Sequence, residues 1–191
     1  MAHAGLNVTG LDIEPQPRYP YPFIQADALT FPLDGYDFYW ASPPCQAYTK
    51  LKALTGKIYP DLIELIRARL SATGKPFIIE NVPGSPLVNP IQLCGTMFGL
   101  RVRRHRLFEC HPAIYPLLPP HACKGKAGYT NAFRGVSAFS HGAKLLCVVG
   151  HNFNVKEARQ AMGIDWMDQE GLREAIPPAM AEFIARHIID N

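Results

Sequence analysis

The stretch PDLIELIRARLSATGKPFIIENV, residues 60 to 82, constrains this chain more than any other. Leu62, Ile63, Ile66 and Leu70 fall on one helical stripe, Pro60 and Asp61 suit a helix start, and Gly74 and Pro76 suit its end. The apolar run that follows, 77 to 82, reads as a buried strand. A helix feeding directly into a buried strand is half of a strand-helix-strand unit, so the chain is expected to be α/β. Three more strands are predicted upstream: NVTGLDI (7–13), FIQAD (23–27) and YDFYWAS (36–42). The link from Pro15 to Pro22 between the first two cannot be helical. This order predicts mostly parallel pairing. MAHAG at the start reads as the last turn of a helix closed by Gly5. A helix entering a strand implies an earlier strand with a glycine-rich turn, so the sheet is expected to lack its first strand.

Beyond Arg101 the pattern loosens. RLFEC and LLCVVGH read as strands, the segment from Pro112 to His141 is rich in Gly, Pro, His and Lys, and a helix is expected from about Pro178, with Met180, Phe183, Ile184, His187 and Ile188 as its apolar face. The chain of 191 residues is long enough for one ordinary domain, and 48% hydrophobic residues supply its core. No run approaches the ~18 apolar residues of a membrane span, and the start lacks the segments of a signal peptide. A cytoplasmic protein without membrane association is the expectation. Five cysteines, an odd number scattered through the chain, argue against a disulfide framework. Residues 101 to 160 hold ten Lys or Arg against two acids, for +8, while the remainder carries −5. Such a basic section suits a polyanionic partner, although it also describes a solvated surface.

Four side chains stand out chemically. Cys45 follows Pro43 and Pro44 at the carboxyl end of a predicted strand, where open α/β sheets place their ligands. Alone it fits a packed thiol as well as a nucleophile. Glu80 also ends a buried strand, where a carboxylate needs a partner or a task. Arg104 and Arg106 are two apart in VRRHRLFE, so in an extended chain they share one face, with Arg103 and His105 on the other.

In that order, SPPCQ, ENV and RRHRLFE resemble the fourth, sixth and eighth motifs of DNA (cytosine-5) methyltransferases. KEARQAMGIDWM and REAIPPAMAEFIA are similar to the ninth and tenth, and VTGLDI and QADAL to the second and third. The resemblance spans Asn7 to Ile188. It implies a Rossmann-like S-adenosylmethionine-dependent fold, with a partial catalytic core over 1–109, a small target-recognition insert over 110–150 and a C-terminal return over 151–191. It implies a bacterial or phage enzyme of the restriction-modification kind, acting as a monomer on double-stranded DNA by base flipping. Cys45 would attack C6 of cytosine, Glu80 would bond N3, and Arg106 or Arg104 would hold O2. Cofactor contacts would come from Asp12, Ile13, Asp27, Ala28, Pro43 and Ala175, and substrate contacts from Pro44, Gln46, Asn81, Val82 and Arg103.

This sequence departs from the family pattern at three places. The glycine-rich first motif is missing, Val102 stands where a glutamine is usual, and Arg173-Glu174 replaces Gly-Asn. A truncated or non-catalytic DNA-binding relative is therefore the alternative reading, and a pyrimidine-nucleotide enzyme using the same thiol addition is a more distant one. Cys110, His111, His121 and Cys123 offer soft zinc donors, but their spacing matches no standard finger, and a loop without metal is the expectation.

Overall fold

The computed structural model describes residues 1–49, 59–123, 127–128 (backbone only), 145–150 and 153–189. Among the described residues, eight strands run in chain order: β1 (Gly10–Asp12), β2 (Phe23–Gln25), β3 (Tyr39–Ala41), β4 (Phe77–Asn81), β5 (Ile91–Cys94), β6 (His105–His111), β7 (Ala127–Gly128) and β8 (Leu145–Leu146). The α-helices are α1 (Ile63–Ala72), α2 (Val155–Met162), α3 (Gln169–Glu174) and α4 (Pro178–Ile189). These elements form two compact units, one of 26–93 and 105–115, the other of 1–25, 94–104 and 116–191.

The first unit is built on a four-stranded sheet of order β3-β4-β6-β5, whose last strand leaves the unit at Cys94. The expected helix forms: Asp61 Oδ1 accepts from the Ile63 amide at 3.3 Å, and the chain turns out of the helix at Gly74 with φ 64°. Ile63, Ile66 and Leu70 of the predicted stripe are buried, and Leu62, at the helix N-cap, is half-buried. Ile66 and Leu70 pack on Phe77 and Ile79, with Leu29, Leu33, Tyr39 and Ala41 around them. With this helix as the crossover, β3 and β4 pair in parallel. All five residues of β4 are buried, so it is the strand around which the unit closes.

The sheet is mixed, which corrects the expectation of mostly parallel pairing: β6 runs antiparallel to β4. The reason is the connection. Between β4 and β6 the chain forms only β5 and a short 3-10 turn at Gly95–Phe98, with no helix to return it to the starting end. On the α1 side of the sheet, Arg67 grips Glu109 through two contacts, Nε–Oε1 at 2.7 Å and Nη2–Oε2 at 2.8 Å. The same carboxylate accepts from the Val88 amide at 2.7 Å, so its charge is fully engaged.

In the second unit β1 and β2 pair in parallel across the proline-rich link, without a helix. Both are shorter than the sequence suggests, and β1 is half-buried rather than buried, since among the described residues it pairs with β2 alone. MAHAG forms a 3-10 turn over Ala2–Ala4, closed by Gly5 at φ 85°. The core here gathers Val102, Leu146, Val148, Phe153, Met162 and Leu172, among others. Asn154 caps α2 by accepting from the Glu157 amide at 3.1 Å, and Asp168 caps α3 through the Gly171 amide at 3.0 Å. A Cβ at Gly95 would meet the Val102 carbonyl oxygen at 2.6 Å, so only glycine fits where that turn crosses the core. The expected C-terminal helix forms over Pro178–Ile189 and buries Met180, Ile184 and Ala185. Of the strand predicted at LLCVVGH, only Leu145–Leu146 is extended into a ladder. Much of the expected target-recognition insert, 124–126 and 129–144, lies outside the described residues.

Burial, and then the charge of Glu109, push the Cys110 thiol up to about 12 from an ordinary value of 9.0. The unfolded chain therefore loses this proton first, and stability is full below pH 9 and falls as the pH rises toward 12. Urea midpoints measured across that range should show this decline, and Cys110→Val should reduce the part of it that begins near pH 9, to which Cys123, also raised by burial, contributes. Tyr39 and Tyr48, also raised by burial, start from 10.0 and leave the later part in place.

Candidate functional site

The site is assembled on the first unit from the carboxyl ends of two parallel neighbours. β3 ends at Ala41 and runs into Ser42-Pro43-Pro44-Cys45, while β4 ends at Glu80 and Asn81. Parallel pairing sends both ends to the same edge of the sheet, the edge at which α/β proteins bind ligands. Asn81 joins them directly. Its buried Nδ2 donates to the Pro43 carbonyl at 2.9 Å, and its Oδ1 accepts from the Val82 amide at 2.9 Å. Asn81, expected as a substrate contact, ties the Pro-Pro-Cys loop to β4 through its Nδ2.

Cys45 is half-buried, and it starts a 3-10 turn at Gln46–Tyr48 whose Tyr48 amide donates to the Cys45 carbonyl at 3.0 Å. The turn is tied down at its other end, where the Tyr48 hydroxyl bonds the Asp61 carboxylate. Nothing in the residue pattern singled out this pair. Pro44 and Gln46 are exposed and Pro43 is half-buried, so the loop offers polar and apolar groups to solvent around the thiol.

Glu80 lies opposite Phe108 in the β4–β6 register, so these two share a sheet face with Trp40, Ile78, Arg106 and Cys110. It is the face away from α1. Trp40 and Phe108 meet edge to face at 5.7 Å and make an apolar wall there. On this wall Arg106 Nε stands 2.9 Å from Glu80 Oε1, with the two side chains 13% and 7% exposed. Arg106 Nη1 donates to the His105 carbonyl at 3.1 Å, which fixes the guanidinium beside the carboxylate. A buried ion pair on an apolar wall is costly to assemble, and such pairs are found where a site needs charge held in place.

Of the two arginines considered for O2, Arg106 is the one paired with Glu80. Arg104 is buried in the second unit, where Nη1 donates to the Val148 carbonyl at 2.8 Å and Nη2 to the Arg173 carbonyl at 2.6 Å. It ties the chain after β8 to the end of α3. Arg103 is exposed and Val82 half-buried.

The residues expected at a cofactor fall into both units and are described in each. In the second, Asp12 closes β1 and accepts from the Glu14 amide at 2.9 Å, leaving its other oxygen with only a 3.5 Å contact from Gln16. Ile13 beside it is 63% exposed. Asp12 and Ile13 thus set a carboxylate beside an exposed aliphatic side chain. Ala175 packs against the core and caps α3 through the Gly171 carbonyl at 2.8 Å, which makes it a structural residue first. In the first unit, Asp27 is exposed and accepts from the Leu29 amide at 2.8 Å, with Ala28 exposed next to it.

Of the four zinc donors considered from sequence, Cys110 and His111 sit in β6 of the first unit, His111 stacked on Phe77 at 5.0 Å. His121 and Cys123 lie in the second unit, near Cys94. No protein-family model and no curated protein matches this chain.

Removing Arg106 should expose what the pair costs. Arg106→Ala leaves Glu80 charged without its 2.9 Å cation and should destabilise the fold by about 3–5 kcal/mol at pH 7, more than Glu80→Gln. In that variant the carboxyl should ionise above its unfolded value, so the lost stability should return as the pH falls through the raised value. Urea titrations of both variants at pH 7 and pH 5 check this.

Proposed function

We propose that this chain is a DNA cytosine C5-methyltransferase in which Cys45 adds to the target base. The observation that carries the reading is the Glu80–Arg106 pair, buried on an apolar wall at the sheet edge where Asn81 secures the Pro-Pro-Cys loop. C5 of cytosine is a weak carbon nucleophile. Bond formation between the Cys45 sulfur and C6 moves the ring's electrons toward C5, which then takes the methyl group. Loss of the C5 proton and cleavage of the sulfur–C6 bond restore the aromatic base and the thiolate.

Negative charge develops on N3 and O2 as sulfur attacks. Glu80, sharing a proton with the ring, would bond N3, and Arg106 would donate to O2 from its fixed position. Burial strengthens both interactions, because little water competes for them. S-adenosylmethionine, the donor that the motif resemblance implies, supplies an electrophilic methyl group. Asp12 and Ile13 are the residues of this chain suited to hold its adenosine part. A cytosine within a duplex must leave the stack to reach such a site, and the basic section from 101 to 160 would hold the opened backbone.

Incubating the full chain with radiolabelled S-adenosylmethionine and duplex DNA tests this. Label should enter DNA as 5-methylcytosine, Cys45→Ser should retain less than about one thousandth of the rate, and Glu80→Gln should lose about 10²- to 10³-fold. Transfer that survives Cys45→Ser would remove the proposed nucleophile.

A further inference from the structure

The second unit holds a cluster of metal-ligating side chains. Cys94, His121 and Cys123 are gathered so that their ligand atoms lie within 4.8 Å of one another. From 27 residues apart in sequence or more, the segment 116–123 brings an imidazole and a thiol to a buried cysteine at the start of 94–104. We propose that these three residues bind a zinc ion that fastens the two segments together.

The donor set carries the choice of metal. Two thiols and an imidazole are soft to borderline ligands, which suit zinc and are wrong for calcium or magnesium. Zinc–sulfur bonds of about 2.3 Å and zinc–nitrogen bonds of about 2.0 Å place tetrahedral donors about 3.3–3.8 Å apart. Closing from 4.8 Å needs side-chain adjustment of about 1 Å and no refolding. A further side chain or water takes the fourth position.

One of the sulfurs has an outer hydrogen-bond partner. Cys94 is buried and starts the 3-10 turn at Gly95–Phe98, where the Thr96 hydroxyl donates to its sulfur at 3.4 Å. Such an outer contact orients a metal-bound sulfur and offsets its charge. Cys123 directly precedes Lys124 and Lys126 in the sequence, so the ion would anchor the chain where the lysine-bearing part of the basic section begins. This is a structural role, separate from the methyl-transfer reading.

The full chain purified without chelator should carry stoichiometric zinc by elemental analysis. Cys94→Ser and Cys123→Ser should each lose it, Cys147→Ser should keep it, and Thr96→Val should weaken binding by about tenfold. Should the cysteine variants not fold, cobalt titration of the unaltered, metal-stripped chain decides: a thiolate-to-cobalt charge-transfer band at one equivalent supports the site. Absence of that band in folded protein, retention of zinc by both serine variants, or a Cys94–Cys123 disulfide in the metal-free native chain would overturn it.

Discussion

A carboxylate buried in the middle strand of a small sheet has to be matched, and the first unit is organised around that requirement. Glu80 sits in a strand buried along its whole length, with Phe108 across from it and Trp40 beside that ring. The antiparallel strand β6 meets the need by delivering Arg106 to the same face. A parallel β6 would run the other way and would not place that arginine beside the end of β4. The mixed pairing is thus tied to the chemistry as well as to the short connection that produces it.

The opposite face repeats the solution with a different purpose. Arg67 from α1 grips Glu109 from β6 through two contacts, and the carboxylate also receives a backbone amide. This pair locks helix to sheet. Two ion pairs on the two faces of β6 therefore differ in what surrounds them: Glu109 is saturated by helix and loop, whereas Glu80 faces an aromatic wall near the loop bearing the thiol. A similar split separates two neighbours in sequence. Arg104 is consumed by two carbonyls inside the second unit, while Arg106 remains with Glu80 in the first.

Periodicity made the elements legible where a face is buried. Ile63, Ile66 and Leu70 announced their helix, Phe77 to Asn81 their strand, and Gly5 its turn, because burial and backbone freedom act locally. The direction of β6 was not legible, since pairing sense depends on how the chain returns rather than on which residues it contains. Cys45, Glu80 and Arg106 were found as individuals from strand-end position and charge. The tie of Asn81 to the Pro-Pro-Cys loop, and the bonding of Arg104 to the Arg173 carbonyl, depend on hydrogen bonds between residues 38 and 69 positions apart, which no local pattern encodes. The gathering of Cys94 with His121 and Cys123 is not legible locally for the same reason, since it joins residues 27 and 29 positions apart.

The central claim is that the Cys45 sulfur forms a bond to a cytosine ring beside Glu80 and Arg106. Replacing the C5 hydrogen of a target cytosine by fluorine blocks the final proton loss, so the sulfur–C6 bond should persist once the methyl group has arrived. Intact-mass spectrometry of the full chain after incubation with duplex DNA containing 5-fluorocytosine and S-adenosylmethionine measures this directly. The account predicts a covalent protein–DNA adduct that maps to the peptide containing Cys45 and depends on the cofactor. DNA bound without any adduct, or an adduct mapped to another cysteine, would contradict it.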